Sequence, residues 1–496
     1  MNATAIALLV LFPKIFNKLA VKREAYLSPF LFIGPIMALA ISGWIYFTGP
    51  IELMLAAIPY KGELLFNLAL KLDILSSLIA TTVMTIGCVV LRFSIKYLDD
   101  DPNQKKFLAN MSNTLSSVLI MLCSHNFILF FLAWISTSYF LHQLLTHFNE
   151  RPGAMKAANQ KFFVSRLGDL FLFSSMVIFF NQLHTLEFSE IIVKLEAMDI
   201  AKDGLWLNFA CAFLILGAMT KSAQYPFHFW LPNTMETPTP VSALMHAGII
   251  NAGGYLVIRT SSILVQFPHT LDILAVIGGF SAVYGAMVML TQSDVKRSLA
   301  YSTIAQMGFM MLQCGLGAFA VATLHIIGHA FYKAYAFLSS STATDYGLLA
   351  RYYPSGRPQA MLWKPFVTAG FSFALLFGLS LLLQIDLTQK PGAFVLTVIL
   401  SLAMGQTLLS TTNKWEGFSY ASLICLTYFG LYKLMSIVLY GSIAQVEAQF
   451  TAIDVILFSS ISLLFIGLYV LQNNLEYLRK TPWGVKLYVN LYTAGK

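Results

Sequence analysis

The sequence predicts an all-α polytopic membrane protein, a bundle of about 14–15 transmembrane helices of the length a bilayer requires. Three observations lead there. Hydrophobic residues fill 57% of the 496 positions and charged residues only 11%, whereas a soluble globule carries roughly 25% charged residues. Mean hydropathy is +0.70. About fifteen apolar stretches of about 20 residues, each matched to a hydrocarbon core, account for most of the apolar share. So little charge cannot cover a water-facing surface of this size. A soluble enzyme, a nucleic-acid-binding protein and a disordered scaffold are excluded, and the implied surroundings are a lipid bilayer with no nucleic acid.

In chain order the apolar runs fall near 4–20, 29–49, 73–98, 106–124, 126–148, 161–182, 205–224, 240–262, 270–292, 296–316, 318–341, 363–385, 393–411, 418–440 and 452–472. The first reads as a retained span rather than a cleavable signal, because no basic region precedes Ala3–Phe12 and Lys14, Lys18 and Lys22 follow it. Connections are short throughout, so 1–496 is expected to be a single membrane domain. The five cysteines (Cys88, Cys123, Cys211, Cys314 and Cys425) sit singly within apolar runs, and no CxxC pair supports a disulfide framework, zinc or iron–sulfur site.

Basic residues in alternate loops set the orientation. One set of loops holds Lys14, Lys18, Lys22, Arg23, Lys105, Lys106, Arg151, Lys156, Lys161, Lys296, Arg297, Arg351, Arg357, Lys414, Arg479, Lys480 and Lys486. The other holds only Lys61, Lys71, Lys194, Lys202 and Lys390. That asymmetry accounts for the net charge of +8. It places the N-terminus outside and the C-terminus in the cytoplasm, unless a segment such as 205–224 or 240–262 is re-entrant.

Between those two segments lies Pro226-Phe-His-Phe-Trp-Leu-Pro-Asn-Thr-Met-Glu-Thr-Pro-Thr-Pro240. Four prolines cannot continue a helix. The passage is either an ordinary loop or a broken helix of the kind that lines ion sites in transporters.

A charge at the centre of a spanning helix costs about 2.5–3.5 kcal/mol on insertion scales, so each one needs a partner, a wet cavity or a function. Lys221 stands among Gly217, Ala218, Ser222, Ala223 and Gln224. It can snorkel to an interface, or serve as a buried lysine exchanging protons near neutrality. His325, His329 and Lys333 are spaced by four and so file along one helical face, a pattern suited to a proton path. Arg166 and Asp169 (i, i+3) form a supporting ion pair. His246 stands in a small-residue helix and leaves ligand, relay and core roles open. Lys296 reads first as a topology signal and second as a path element. No phosphate loop, dinucleotide fingerprint, paired catalytic carboxylates or nucleophile elbow is present.

Gly217-Ala-Met-Thr-Lys-Ser-Ala-Gln-Tyr-Pro226 and Pro238-Thr-Pro-Val-Ser-Ala-Leu-Met-His246 closely resemble the antiporter-like subunits of respiratory complex I and Mrp antiporters. So do Ser293-Asp-Val-Lys-Arg-Ser-Leu-Ala-Tyr-Ser-Thr-Ile-Ala-Gln-Met-Gly308 and His325-Ile-Ile-Gly-His-Ala-Phe-Tyr-Lys333. Similarity runs from about 70 to 345, leaving 346–472 as divergent C-terminal helices and 473–496 as a cytoplasmic interfacial tail. The resemblance implies a proton-conducting bundle of inverted repeats with broken helices. It makes Lys221 the central lysine, Lys296 a second lysine, His325 and His329 relay histidines, and His246 a matching histidine.

One departure is informative. Pumping members carry a glutamate directly after the tryptophan of the fifth span, and here Ile135 follows Trp134. His142, seven residues on and on nearly the same face, is a candidate substitute. The chain also ends at Lys496, short of the lateral helix of the terminal complex I subunit. Trp134-Ile-Ser-Thr-Ser138, Leu141-His-Gln-Leu-Leu145, Glu150-Arg-Pro152, Lys161-Phe-Phe-Val-Ser-Arg-Leu-Gly-Asp169 and Trp483-Gly-Val-Lys-Leu-Tyr-Val-Asn-Leu-Tyr492 are similar to the DabB branch, membrane subunits of inorganic-carbon accumulation complexes. That resemblance implies a bacterial inner-membrane transporter subunit rather than an enzyme. It also implies a carbonic-anhydrase-like (DabA-like) partner that holds the zinc, with no cofactor in this chain. A complex I-like or Mrp-type antiporter subunit and a structural anchor with vestigial relay residues are the competing readings.

Overall fold

The computed structural model describes residues 2–20, 27–60, 63–199, 204–342, 364–382, 391–411, 413–444, 452–474, 478 and 480–495. Lys22, Arg23, Lys61, Lys202, Arg351, Arg357, Lys390 and Arg479, used above for orientation, lie outside them. Among the described residues nine helices are long and apolar enough to cross a membrane. Contacts divide the chain into two compact units. The first comprises 1–270, 325–340 and 438–444; the second comprises 271–324, 341–437 and 445–496.

The first unit opens with α1 (Asn2–Ala20) and α2 (Leu27–Thr48), then an antiparallel hairpin of β1 (Ile51–Tyr60) and β2 (Glu63–Leu72). The apolar pattern gave no sign of this hairpin. A short apolar run does not by itself distinguish strand from helix, and the pairing depends on distant partners. Lys71 faces Glu52 across the strands at 2.9 Å. The backbone of Lys71 donates to Cys123 O and that of His125 to Ala69 O, which ties β2 to the turn between the next helices.

Four long helices follow: α3 (Ile74–Tyr97), α4 (Gln104–Leu122), α5 (Phe127–Leu145) and α6 (Pro152–Leu183). Asp73 caps α3, its Oδ1 accepting from Ser76 N at 2.9 Å while Ser76 Oγ accepts from Asp73 N, the reciprocal bonds of a capping box. Asn126 caps α5 through Leu129 N. A proline at the first helical position, where the missing N–H costs nothing, starts α6 nine residues before the predicted run. Its 32 residues span about 48 Å at 1.5 Å per residue. Lys161, assigned above to a cytoplasmic loop, is therefore in the third turn of α6 and buried. That assignment is corrected.

After the short α7 (Phe188–Glu196) comes α8 (Leu205–Lys221), packed along α6. Gly168 of α6 makes this possible: a Cβ there would collide with Thr220 Oγ1, and a Cβ at Gly217 would sit 3.4 Å from Gly168 O. The helix stops at Lys221, Ala223 takes the left-handed conformation (φ 48°), and helix resumes only at α9 (Thr239–Ala247). From Pro226 to Pro238 the passage is thus non-helical apart from a 3₁₀ turn at Thr234–Glu236, and Pro240 sits in the first turn of α9. The run read above as one segment, 240–262, is itself broken. A 3₁₀ turn at Ile249–Asn251 separates α9 from α10 (Ala252–Arg259), and α11 (Ser261–Leu264) follows. Asn251 Nδ2 donates to Ala247 O at 2.8 Å, satisfying a carbonyl the break frees, as non-helical backbone in an apolar setting requires.

The remaining helices are α12 (Pro268–Met289), α13 (Val295–Gly315), α14 (Phe319–Leu338), α15 (Lys364–Leu382), α16 (Pro391–Ser410), α17 (Lys414–Val438), α18 (Ala452–Asn473) and α19 (Pro482–Ala494). Within the second unit Ala275, Leu312, Leu316, Val395, Leu396 and Ile461 form a buried core. The terminal α19 is capped by Thr481 and held by a hydrogen bond from Tyr301 Oη to Ala494 O, leaving Trp483 exposed.

Candidate functional site

Lys221 lies at the C-terminal end of α8, where the backbone leaves the helix, and its side chain turns onto α5. It is 7% exposed. Its Nζ donates to Ser138 Oγ at 2.6 Å and to Trp134 O at 3.1 Å. It also stands 4.4 Å from the centroid of the Trp134 ring, a cation–π geometry. These acceptors lie on one face of α5, four residues apart. The ammonium thus takes a hydroxyl, a carbonyl and a ring face in place of water.

A second lysine reaches the same residue. Lys161 Nζ donates to Ser138 O at 2.8 Å, so Ser138 accepts from Lys221 with its hydroxyl and from Lys161 with its carbonyl. On α6 Arg166 pairs with Asp169 at 2.6 Å, and both interact electrostatically with Lys221 and Lys161. Formally three cations face one carboxylate. Position 135, where the resembling family carries glutamate, is apolar here and lines a cavity with Lys161, His142 and Arg166. His142 packs on Phe162, ring centroids 5.5 Å apart, with its Nδ1 buried and unpartnered.

The histidine file forms a second cluster. His325 and His329 lie on one face of α14 with ring centroids 6.1 Å apart, and Lys333 follows one turn on, fully buried. From α9, His246 stacks on Phe337 of α14 at 4.2 Å and interacts electrostatically with Lys333 and His329. Both nitrogens of His329 are buried without hydrogen-bond partners, a costly state for an imidazole in a dry site. A cavity of about 20 Å³ touches Ile326 and Ala330 beside His329 and is lined by Asn251, whose Oδ1 is unpartnered. It has room for a single water.

The structure therefore joins Lys221 to Arg166 and Asp169, and His246 to His325, His329 and Lys333. Lys296 belongs to the second unit, half-buried near the start of α13. Two participants were missed. Ser138 carries no sequence signal, since a serine in a spanning helix commonly bonds its own backbone. Lys161 did carry one: a helix begun at Pro152 runs through it.

Titratable groups also gather at one end of the first unit. His125, in the turn before α5, sits 3.6 Å from Glu187. Burial holds its imidazole below the ordinary value, with Lys71 acting the same way and Glu52 and Glu187 opposing. Nearby, Arg259 at the end of α10 pairs with Asp73 at the start of α3. Among the described residues no group of three or more His, Cys, Asp or Glu could hold a metal ion.

Residues 124–353 match the transmembrane family of NADH:quinone oxidoreductase/Mrp antiporter, and residues 60–108 match the N-terminus of NADH-ubiquinone oxidoreductase (complex I) chain 5. Among curated sequences the chain is 38% identical over 373 residues to probable inorganic carbon transporter subunit DabB2 of Halothiobacillus neapolitanus, covering 75% of this chain and 67% of that one. It is 39% identical over 276 residues to probable inorganic carbon transporter subunit DabB1 of the same organism, covering 55% of this chain and 49% of that one. The chain thus spans between half and two thirds of these relatives' length. Among solved structures, the Mrp complex from Dietzia sp. DQ12-45-1b superposes with a TM-score of 0.62 at 24% identity, covering all of this chain and 59% of that one. The fold is the antiporter-like membrane fold, and the chain belongs to the NADH:quinone oxidoreductase/Mrp antiporter family of membrane subunits, among the relatives of the DabB inorganic carbon transporter subunits.

Proposed function

We propose that this subunit conducts protons inward across a bacterial inner membrane. In this reading the flow energises bicarbonate accumulation by a zinc-bearing, carbonic-anhydrase-like partner on the cytoplasmic side. The carrying observation is Lys221: a lysine buried at a helix break, held by Ser138 and Trp134 rather than by a fixed carboxylate, and coupled electrostatically to Asp169 and Arg166. A lysine placed so can pass a proton between alternative partners, and His246, His325, His329 and Lys333 supply a second titratable file in the same unit. The zinc in this reading belongs to the partner, and the basic loops face the cytoplasm where that partner docks.

The test is Lys221→Ala and His329→Ala in the assembled complex. Both variants should assemble at wild-type levels and lose energy-dependent bicarbonate accumulation, and a protonophore should do the same to the wild type. Full accumulation by both variants would reduce the chain to an anchor. Survival of accumulation under a protonophore, with loss on collapse of the sodium gradient, would change the ion. A complex I-like or Mrp-type antiporter is the second reading. The family match favours it, while Ile135 in place of a carboxylate weighs against it.

A further inference from the structure

We propose that Lys161 captures CO₂ as a carbamate, which supplies the carboxylate that position 135 lacks. The choice of CO₂ rests on the inorganic-carbon reading above; the site rests on geometry. Lys161 is 3% exposed and uses one of its three possible donors, toward Ser138 O. It lines a cavity of about 380 Å³ together with Ile135, His142, Ser165 and Arg166. The rim includes Leu132, Tyr139 and Phe162, all about half exposed on the flank of the first unit. In a bilayer that flank faces hydrocarbon. An uncharged, apolar gas dissolves in hydrocarbon and reaches such a cavity from the side, where a hydrated ion does not.

Charge bookkeeping favours the product. Lys161, Arg166 and Lys221 against Asp169 give a formal +2 in an apolar setting, where uncompensated charge is costly. Carbamate formation turns Lys161 from +1 to −1, leaving Arg166 and Lys221 balanced by Asp169 and the carbamate. The step is Lys–NH₃⁺ + CO₂ → Lys–NH–CO₂⁻ + 2 H⁺. The ammonium first gives up one proton; the freed amine lone pair then forms the N–C bond, one C=O π pair moves onto oxygen, and the second proton leaves the nitrogen. His142 Nδ1, buried and unpartnered beside the same cavity, is placed to relay the two protons in turn to bulk solvent, so that neither stays in the cluster. The new carboxylate is tethered to the residue that shares Ser138 with Lys221, so the central lysine gains an anionic partner only when CO₂ is present.

The assay uses the full chain in its complex, in lipid nanodiscs equilibrated with ¹³C-labelled CO₂. Carbamates are alkylated with a trialkyloxonium salt and mapped by peptide mass spectrometry. Labelled alkyl carbamate on Lys161 is expected in the wild type and none in Lys161→Met; an unlabelled Lys161 in the wild type overturns the proposal. In proteoliposomes, wild-type cation flux should fall at least tenfold in CO₂-free buffer. Lys161→Glu, with its fixed carboxylate, should lose that dependence. Equal wild-type flux with and without CO₂ would sink the carbamate and leave the proton-conduction reading standing, whereas carbamate without flux under any condition would sink that reading alone.

Discussion

Replacing Ser138 with alanine removes one oxygen and leaves the rest of the lysine pair in place. The lost bond is the 2.6 Å contact from Lys221 Nζ; Lys161 keeps its carbonyl, because that acceptor is backbone. Lys221 retains Trp134 O and the indole face. A hydrogen bond to a charged group is worth about 1.5–3 kcal/mol, which corresponds to about ten- to hundredfold in any step that needs the ammonium at this position. Proton flux driven by an imposed pH gradient, measured in proteoliposomes holding the intact complex, should fall by that factor. Ser174→Ala, which removes an exposed hydroxyl bonded only to its own helix at Leu170 O, should leave flux unchanged. A Ser138→Ala flux within twofold of wild type, or above it, refutes the claim that this hydroxyl positions the central lysine.

The packing and the outer cluster carry their own tests. Gly253→Ala drives a methyl group into the backbone oxygen of Ala218, which cannot rotate away. Overpacking of this kind costs about 1–3 kcal/mol, so the thermal unfolding midpoint of the purified subunit should drop, and an unchanged midpoint would show that α8 and α10 separate freely. Because burial holds His125 below its ordinary value, the neutral ring favours the folded state. The stability it contributes is full above the unfolded value of about 6.5 and is lost as pH falls below it toward the lower folded value. The protection of the Lys71 and His125 amides, which join β2 to the α4–α5 turn, measured as hydrogen exchange relative to the intrinsic rate at each pH, should therefore fall between pH 7 and 5 in the wild type and not in His125→Gln.

Much of this protein was legible before any coordinates. Most apolar runs match described helices because hydropathy and length are local properties, and the four prolines between 226 and 240 marked an interruption beyond Lys221 because each lacks an N–H and crowds the preceding turn. The register of His325, His329 and Lys333 was readable because spacing alone decides which residues share a helical face. Where two segments touch is another matter. Lys161 and Lys221 meet through Ser138, from positions 23 and 83 residues away along the chain, where Gly168, at which a Cβ would collide with Thr220 Oγ1, lets α6 and α8 close on each other. His246 joins the file of α14 through a ring stack with Phe337 that no periodicity encodes. The pairing of β1 with β2 and its attachment to the α4–α5 turn arise the same way, from backbone groups whose partners are chosen in three dimensions. Sequence thus determined the spans, the break and the cast of ionisable groups. Tertiary packing decided which of them share a partner, because hydrogen bonds and charge pairing act over a few ångströms of space regardless of distance along the chain.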